Sequence, residues 1–281
     1  MLTRRTLMAA ALGAPLLQRK PRAQTNRLRI GITDWNLRLT CKPEAIPLAA
    51  KLGFEGVQVS CGRNLVDGKQ PLDNPELIAH MKALSKEHRV PIDGTCVDRL
   101  HTDGLKSEKA AVGWVRDAIR ITRDLGTQVI LLPFFGKWAL DTPAEMDYTA
   151  DALRDLGPEA EKAGVILGLE NTISAEDNVR IMERSRSKAV LVYYDVGNST
   201  ARGFDVVKEI RWLGKARICQ MHLKDNPNYL GEGKIQFGPI MQAIRDIGFT
   251  GYANLETDAK SPATLEADQR RNLEYIRSFI G

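Results

Sequence analysis

The sequence predicts a single (β/α)8 TIM barrel of the α/β class. From Leu28 onward, short apolar runs rich in β-forming residues alternate with longer segments of helical period, which is typical of a parallel sheet built from βα units. Eight such runs occur at an average spacing of about 32 residues, a normal length for one βα unit. No linker rich in proline or serine divides the chain after its N-terminal segment, so one barrel over residues 27–281 is favoured over two domains.

The eight predicted strands follow one another at regular intervals. They begin near Leu28, Gly56, Val90, Gln128, Val165, Ala189, Ile218 and Gly251. Helical periodicity covers residues 74–87, 107–125, 142–163, 175–186, 237–247 and 265–279, and several of these segments begin with good N-cap residues. Gly53 and Gly248 are predicted to close helices and let the chain turn into the next strand. In such a barrel the active site lies at the C-terminal ends of the strands.

The first 24 residues differ in composition from the rest of the chain. Arg4 and Arg5 precede an apolar run over residues 7–17, and five basic but no acidic residues occur before Gln24. This pattern predicts a twin-arginine-type export signal over residues 1–24, and hence a periplasmic or otherwise exported protein. A plain amphipathic or disordered tail is the alternative. Because the apolar run is short for a membrane span, no stable membrane anchor is expected after removal of the signal.

The charge balance of the remaining chain argues against a nucleic-acid partner. The formal net charge of +5 resides in the N-terminal segment, which leaves 35 basic and 35 acidic residues in the rest of the chain. A neutral body has no basic footprint for nucleic acid. Cys41, Cys61, Cys96 and Cys219 show no metal-binding spacing. They are expected to be buried free thiols, with a Cys61–Cys96 bridge as the less favoured reading.

Four predicted strands end in residues that can bind a metal ion. The ends are Glu170, Asp195, His222 and Glu256, each at the close of an apolar run. Their separations along the chain are 25, 27 and 34 residues. Because each separation is close to one βα unit, we expect the four side chains on neighbouring strands, the fifth to the eighth, at the same height of the barrel.

The residues two positions before these strand ends support a shared site. A side chain two positions before an inward-facing one also faces inward, and Gly168, Gln220 and Asn254 occupy three of these positions. They are small or polar, as a hydrated site requires. Three carboxylates held together repel one another, whereas a divalent cation compensates them and also accepts an imidazole. The sequence therefore predicts one divalent metal ion, and its mixed oxygen and nitrogen ligands suit Mn²⁺, Co²⁺, Mg²⁺ or Zn²⁺.

Five short motifs give the chain a resemblance to a known family. They are Gly168-Leu-Glu170-Asn, Asp195-Val-Gly-Asn198, His222-Leu-Lys-Asp225, Gly231-Glu-Gly-Lys-Ile-Gln-Phe237 and Asn254-Leu-Glu256. With these motifs the chain resembles the sugar phosphate isomerase/epimerase family, which includes ketose 3-epimerases and the xylose-isomerase-like barrels. The resemblance covers nearly all of residues 27–281, and its specific motifs lie in the second half.

The resemblance implies roles for the four strand-end residues. In ketose 3-epimerases of this kind the matching residues bind one metal, and the two glutamates also act as acid and base on either face of the substrate. It therefore implies this double role for Glu170 and Glu256, with Asp195 and His222 as ligands. The chemistry agrees, because a cation that polarises a carbonyl oxygen stabilises the enediolate formed when a carboxylate removes the neighbouring proton.

Two departures from the family pattern concern the substrate. Many relatives place a histidine three residues after the aspartate that matches Asp195, where this chain has Asn198. Epimerases of free ketoses also tend to have an arginine some residues after the histidine that matches His222, and the stretch following Asp225 has no arginine. Asn198 keeps the capacity for hydrogen bonding and loses basicity. The loop over residues 231–234 gives a weak signal for phosphate, but an exported enzyme is expected to act on an unphosphorylated sugar.

Four residues at the barrel mouth are predicted to contact the substrate. They are Trp35, His101, Asn198 and Lys224. Lys224 shares the inward parity of His222 and is expected to bind a substrate hydroxyl or oxyanion, with a salt bridge to Asp225 or Glu232 as the alternative. Aromatic rings after the first and fourth strands, Trp35 and the pair Phe134 and Phe135, are candidates to stack on a sugar, with ordinary loop packing as the alternative.

The leading hypothesis is a sugar isomerase or epimerase that moves a proton next to a keto group through a metal-bound enediolate. A lyase that acts on 3-keto-glycosides by the same proton abstraction is the alternative. A non-catalytic sugar-binding barrel and an endonuclease IV-like nuclease are less favoured, the latter because a three-metal cluster needs more ligands than the four histidines of this chain allow. The expected partner is a small-molecule sugar or keto-sugar, and a homo-oligomer is compatible with the sequence.

Overall fold

The eight predicted strands form one closed barrel. The computed structural model describes residues 27–280, and in it the strands pair in parallel in the order β1 to β8, with β8 returning to β1. The strands are β1 Arg29–Thr33, β2 Val57–Ser60, β3 Ile92–Cys96, β4 Val129–Pro133, β5 Ile166–Glu170, β6 Val190–Asp195, β7 Ile218–Leu223 and β8 Tyr252–Leu255. The predicted fold of the barrel is therefore confirmed.

Helices surround the barrel and connect its strands. They are α1 Ala45–Leu52, α2 Pro75–His88, α3 Lys109–Leu125, α4 Pro143–Ala163, α5 Ala175–Ser185, α6 Val196–Ala201, α7 Val206–Arg217, α8 Phe237–Asp246 and α9 Leu265–Arg277. Six of them match the predicted helical segments. Of the other three, α1 ends at the predicted turn of Gly53, whereas α6 and α7 were not predicted. Short 3-10 helices at Asp98–His101 and Gly136–Trp138 follow β3 and β4 at the barrel mouth.

Local sequence explains where several of these helices begin and end. Thr142 forms a capping box with Glu145 at the start of α4, and the Asn74 side chain accepts two backbone N–H groups at the start of α2. Gly53 and Gly248 both have positive φ, at 95° and 66°, where a residue with a β-carbon is strained. They confirm the predicted helix-to-strand turns.

The apolar core has two parts. The larger part fills the space between the barrel and its helices, and Phe134 belongs to it. The prediction that Phe134 stacks on a sugar at the barrel mouth is therefore wrong. A small separate cluster of Cys96, Leu131 and Tyr193 occupies the barrel interior, with Trp35 packed against it. Most other interior positions near the top of the barrel are polar, which leaves room for a hydrophilic site.

The strand register places the predicted ligands close together. Asp195 of β6 pairs with His222 of β7, and His222 in turn pairs with Asn254 of β8. Glu170 ends β5, and Glu256 directly follows β8. Neighbouring parallel strands therefore present these four side chains at one level, at the C-terminal rim.

Two further predictions concern the cysteines and the N-terminal segment. All four cysteines are free thiols, and burial raises the pKa values of Cys61 and Cys96, which makes them poor nucleophiles. The predicted export signal over residues 1–24 lies outside the described residues. Within residues 27–280, none of the helices combines the length and apolar character needed to cross a membrane.

Candidate metal centre and active site

Four side chains from consecutive strands converge at the top of the barrel. One ligand atom from each of Glu170, Asp195, His222 and Glu256 lies within 4.8 Å of the others. His222 Nδ1 is 2.8 Å from Glu170 Oε1, 3.5 Å from Glu256 Oε2 and 3.7 Å from Asp195 Oδ2. Glu170, Asp195 and His222 are buried, and Glu256 is partly exposed to the cavity above. The structure thus brings together all four predicted ligands.

The orientation of the His222 ring is set by a glutamine on β2. His222 Nε2 lies 2.9 Å from Gln58 Oε1, which also accepts a hydrogen bond from the Tyr193 hydroxyl at 3.1 Å. An amide oxygen only accepts, so Nε2 donates a proton to Gln58. Burial acts to lower the pKa of His222, but the charges of Glu170 and Glu256 outweigh it and raise this pKa, so the ring is positively charged and Nδ1 donates to Glu170 Oε1. Nδ1 is the nitrogen that would bind a metal ion in place of this proton. A polar partner on the second ring nitrogen is the usual companion of a metal-binding histidine.

A second polar layer lies directly below the four ligands. Asp93 Oδ1 accepts hydrogen bonds from Gln220 Nε2 and Asn254 Nδ2, both at 3.0 Å, and Asn254 also contacts the Tyr193 hydroxyl at 3.3 Å. Burial raises the pKa of Asp93 to about 7, although these two amide donors act in the opposite direction. The inward positions of Gln220 and Asn254 agree with the alternation predicted from sequence.

The two glutamates of the cluster have opposite electrostatic environments. Burial raises the pKa of Glu170 to about 7, and the positive charge of His222 opposes this rise only in part. Burial also acts to raise the pKa of Glu256, but the charges of His222 and Lys224 outweigh it and hold the pKa well below its ordinary value. Pairs of acids whose pKa values are pushed apart are typical of acid–base catalysis.

Glu256 is held at both carboxylate oxygens. The Trp35 indole N–H donates to Glu256 Oε1 at 3.1 Å, and the Lys224 ammonium lies 2.5 Å from Oε2. Lys224 is also 2.8 Å from Asp195 Oδ2. Lys224 therefore forms a salt bridge, but with Asp195 and Glu256 instead of the Asp225 or Glu232 suggested by the sequence. The reason is that Lys224 directly follows β7 and keeps the inward direction of His222, which points its side chain into the cluster.

The donor set fits a divalent metal ion. Oxygen and nitrogen ligands lie about 2.0–2.2 Å from a typical bound ion, so ligand atoms around one ion are separated by up to about 4.4 Å. The separations within the cluster are close to this range. Three buried or partly buried carboxylates also need compensating positive charge, and Nδ1 of His222 faces them and can exchange its proton for a cation. Glu170, Asp195, His222 and Glu256 are thus suited to hold such an ion together.

A cavity of about 430 Å³ opens above the cluster on the side of strands β1 to β5. Of the predicted substrate contacts, Trp35, His101, Asn198 and Lys224 all line it. The His101 ring stacks on Phe135 with a centroid separation of 6.1 Å. The Nδ2 atom of Asn198 is buried and has no hydrogen-bond partner among the described residues, which leaves it free to donate to a ligand.

One arginine of this cavity was not predicted from the sequence. Arg63 lines the cavity after β2 and donates two hydrogen bonds to Asp98 Oδ1, while Asp98 Oδ2 accepts from the Ser60 hydroxyl. Arg63 lies in an irregular loop, far along the chain from the motifs that contain the predicted ligands. No sequence pattern therefore indicated that its side chain lines the cavity. It supplies an arginine to the cavity from the side opposite to the one where the family pattern places it.

The glycine-rich loop over residues 231–234 does not form a free phosphate site. Its Gly233 N–H donates to Asp225 Oδ2 at 3.0 Å. Burial raises the pKa of Asp225, although the N–H groups of Gly233, Ile235 and Lys234 act in the opposite direction. A β-carbon on Gly233 would lie only 2.2 Å from Asp225 Oδ1. The loop therefore encloses an internal carboxylate instead of an external anion.

The remaining histidines do not extend the cluster. His80 and His88 lie on α2, outside the barrel. Among residues 27–280, the four residues of the centre form the only group found with metal-ligand geometry. The described part of the chain thus has one candidate metal centre and no three-metal arrangement.

Comparison with known proteins identifies a matching family and several relatives. The model of the xylose isomerase-like TIM barrel family matches residues 46–279. The chain is 30% identical over 201 residues to a 2-epi-5-epi-valiolone 7-phosphate 2-epimerase of an Actinoplanes species, which covers 71% of this chain and 73% of that protein. It is 27% identical over 184 residues to an inosose dehydratase of Geobacillus thermodenitrificans, with coverage of 53% and 59%.

A solved structure supports the same fold at greater sequence distance. A crystal structure of D-psicose 3-epimerase in the presence of D-fructose superimposes with a TM-score of 0.76 and 16% identity, and the alignment covers 90% of this chain and 99% of that one. The family match spans most of the chain, and the ligand cluster lies within it. The chain belongs to the xylose isomerase-like TIM barrel family, which includes sugar isomerases and epimerases.

Proposed function

We propose that this protein is a metal-dependent sugar isomerase or epimerase that moves a proton on a carbon next to a keto group. The observation that carries the proposal is the pair of glutamates, Glu170 and Glu256, on one buried cluster with Asp195 and His222. This cluster forms the floor of a polar cavity of the size of a small-ligand site. The epimerase named above as a relative supports the same reaction class, and the substrate is a small sugar or keto-sugar.

In this proposal the four residues hold one divalent metal ion. Mn²⁺, Co²⁺, Mg²⁺ and Zn²⁺ all accept mixed oxygen and nitrogen ligands, and Mn²⁺ is the first candidate among them. When bound, the ion would supply positive charge that polarises the carbonyl oxygen of the substrate. Gln58 would keep His222 in the tautomer that exposes Nδ1.

The proton is moved by the two glutamates. Glu256 is ionised because of its low pKa, and Trp35 and Lys224 fix its orientation. It removes the proton beside the carbonyl group, and the electrons of the broken C–H bond move toward the carbonyl oxygen to give an enediolate. Glu170, whose pKa is raised by burial, gives its proton to the same carbon from the opposite face. The electron pair of the enediolate double bond forms the new C–H bond, the carbonyl group re-forms from the enediolate oxygen, and the configuration of the carbon is inverted. In the reverse direction the two roles exchange.

The cavity residues bind and orient the sugar in this scheme. Asn198 offers its free Nδ2 to a hydroxyl group, and His101 presents a ring stacked on Phe135. Trp35 provides an indole face beside Glu256. Lys224 is placed to approach a hydroxyl or a developing oxyanion, since its ammonium lies at the boundary of the cluster and the cavity.

A lyase is the second candidate function. It is favoured by the ammonium of Lys224 next to the proposed base and by the similarity to an inosose dehydratase. The same proton abstraction by Glu256 would be followed by cleavage of the bond between the next carbon and its oxygen. The leaving oxygen would take its proton from Lys224 or Glu170, as happens when a 3-keto-glycoside loses its aglycone.

Metal analysis and isotope exchange together test both functions. The purified full chain is loaded with Mn²⁺ and incubated in deuterium oxide with free ketoses and with 3-keto-glycosides, and the products are followed by NMR. Deuterium on one carbon without bond cleavage is expected for an epimerase, whereas release of the aglycone identifies the lyase. One equivalent of metal is expected in the wild type, and an absence of both bound metal and exchange would refute the proposal.

Matched variants assign the reaction to the two glutamates. Glu170→Gln and Glu256→Gln are each expected to lower turnover by about 10²- to 10⁴-fold, the usual contribution of a general acid or base. Glu209→Gln is the control, because Glu209 is also buried but binds the Tyr194 hydroxyl and the Ala175 N–H away from the cluster. Equal turnover in all three variants would exclude the proposed roles.

A further inference from the structure

A second cavity adjoins the cavity above the four-residue cluster, which we call the metal cavity, and the second cavity is the larger of the two. It has a volume of about 740 Å³ and lies over strands β6 to β8, whereas the metal cavity of about 430 Å³ lies over β1 to β5. The two cavities share the side chains of Trp35, Asn198, Lys224 and Glu256. Because Glu256 is the proposed base, a molecule that reacts there can extend in both directions.

One wall of this second cavity is fixed by its own hydrogen bonds. Asn36 Nδ2 donates to Asp258 Oδ1 at 3.0 Å, and the Asp258 N–H donates to Asn226 Oδ1 at 3.1 Å. Asn226 Nδ2 in turn donates to the Glu256 carbonyl oxygen at 3.1 Å. Loops from β1, β7 and β8 are thereby joined, so the cavity is formed before any ligand binds, which reduces the entropy lost on binding.

The groups that stay free in this cavity are mostly uncharged and polar. Asn228 has no side-chain hydrogen bond within residues 27–280, and the buried Nδ2 of Asn198 is also without a partner there. The Thr200 hydroxyl donates to the Val196 carbonyl oxygen and can still accept. Together with the indole of Trp35, these groups match the hydroxyls and the apolar face of a sugar ring.

The charges of this cavity argue against a phosphate group. Asp225 is enclosed by the loop that contains Gly233, and Asp258 is bound by Asn36, but both keep negative charge near the cavity. Lys234 is the additional cation on its lining, and arginine, the usual bidentate partner of phosphate, is absent among the described residues that line it. A neutral ring is therefore favoured over an anionic substituent.

We infer that this second cavity binds a second sugar ring, so that the substrate is a keto-sugar glycosidically linked to another sugar. The keto-sugar ring occupies the metal cavity, and its linked ring lies between Asn198 and Asn228. This inference rests on the proposed function, because the reacting carbon must lie at Glu256. It adds that the protein prefers two-ring substrates to free ketoses.

Binding measurements with one-ring and two-ring ketoses test the inference. The Mn²⁺-loaded full chain is titrated by calorimetry with D-fructose and with turanose, maltulose and isomaltulose, which are glucosyl-fructoses of different linkage. At least one of the three is expected to bind about tenfold more tightly than fructose or better, the effect of about 1.4 kcal/mol of added contact. Asn228→Ala is expected to reduce this gain severalfold and to leave fructose binding within about twofold.

A variant that fills the cavity separates this inference from the proposed function. Ala201 lines the second cavity at the exposed end of α6, so Ala201→Trp is expected to abolish the two-ring preference and to keep metal-dependent fructose binding. Ala216→Trp on the exposed face of α7 is the matched control. Metal-dependent fructose binding without a two-ring preference, or a preference that survives Ala201→Trp, overturns the inference alone. If no ketose of either size shows metal-dependent binding, the proposed function fails as well.

Discussion

His222 connects the proposed metal centre with the interior of the barrel. Its Nδ1 faces three carboxylates, and its Nε2 is tied to Gln58, which also binds Tyr193. Tyr193 contacts Asn254, and Asn254 donates to Asp93 in the layer below. A single hydrogen-bonded chain therefore runs from the ligand cluster toward the barrel floor. We expect substitutions in this chain to change metal affinity at the proposed centre, although none of the substituted residues is itself a ligand.

Replacement of Gln58 by leucine is expected to weaken metal binding by about 10- to 100-fold, the usual effect of losing the partner of a metal-binding histidine. Without the amide oxygen the ring is free to adopt the other tautomer or to rotate. Titration with Co²⁺, followed by its visible absorption, measures this affinity. Gln70→Leu is the control, since Gln70 is equally buried but binds the Trp114 carbonyl oxygen away from the centre. Unchanged Co²⁺ affinity in folded Gln58→Leu would contradict the role of Gln58.

Asp93 is expected to make the stability of the fold depend on pH. Burial raises its pKa from 3.8 to about 7, so between these values the folded state binds more protons than the unfolded state. The free energy of unfolding therefore falls as pH rises through this window. Asp93→Asn removes the titration, and we expect it to stabilise the protein by up to about 4 kcal/mol at pH 8, since one pKa unit corresponds to about 1.4 kcal/mol. Near pH 4 the difference should be small.

Guanidinium unfolding at the two pH values measures this effect. Asp67→Asn serves as the control, because Asp67 lies exposed in a turn and its replacement should give the same small change at both pH values. A stability change for Asp93→Asn that does not depend on pH would show that the carboxyl group does not titrate in this range.

At the scale of elements, the segment between β7 and α8 is organised around one carboxylate. Asp225 follows the strand that carries His222, and the Gly233 N–H donates to it from the far side of the loop. Gly233 has no β-carbon to clash with this carboxylate. The same loop supplies part of the second cavity, so its shape affects both stability and binding.

Asp225→Ala is expected to lower the free energy of unfolding by about 1–3 kcal/mol, because it leaves partly buried N–H groups without an acceptor. Chemical denaturation provides the measurement. Glu232→Ala is the control in the same loop, since Glu232 forms only an exposed ion pair with Arg271 and should change stability by less than about 0.5 kcal/mol. Equal effects of the two substitutions would exclude a structural role for the Asp225 carboxylate.

At the scale of the whole molecule, the chain combines a barrel with an N-terminal segment of different composition. The barrel described over residues 27–280 contains the candidate metal centre and both cavities. Export of this domain by the twin-arginine route remains a prediction from Arg4, Arg5 and the apolar run that follows. That route carries folded proteins, and it would therefore allow the proposed metal ion to be bound before the predicted export.

The double substitution Arg4→Lys, Arg5→Lys is expected to retain the full chain in the cytoplasm of a bacterium that has the twin-arginine pathway. The reason is that recognition of such signals depends on the arginine pair. Fractionation of periplasm and cytoplasm, followed by detection of the C-terminal part of the chain, measures the distribution. Arg19→Lys, Arg22→Lys keeps the same overall charge and is the control. Equal export of both double variants would rule out the twin-arginine signal.

The sequence by itself determined the barrel and the four residues of the candidate metal centre. The alternation of apolar runs and helical segments predicts eight βα units. The alternation of side chains along each strand predicts which residues face the barrel interior. Glu170, Asp195, His222 and Glu256 were found in this way because each ends a strand, and strand ends are brought together by any parallel barrel. Asn254 and Gln220 were placed inward for the same reason.

Only the tertiary structure decided the contacts made across the barrel and between loops. Gln58 reaches His222 from a strand on the opposite side, and Lys224 turns to Asp195 and Glu256 instead of its neighbours in sequence. Arg63 comes from an irregular loop. The periodicity of a strand fixes the side on which a residue lies, but the reach of a long side chain and the path of a loop depend on packing between distant segments. The second cavity is formed by four such loops and has no local sequence pattern.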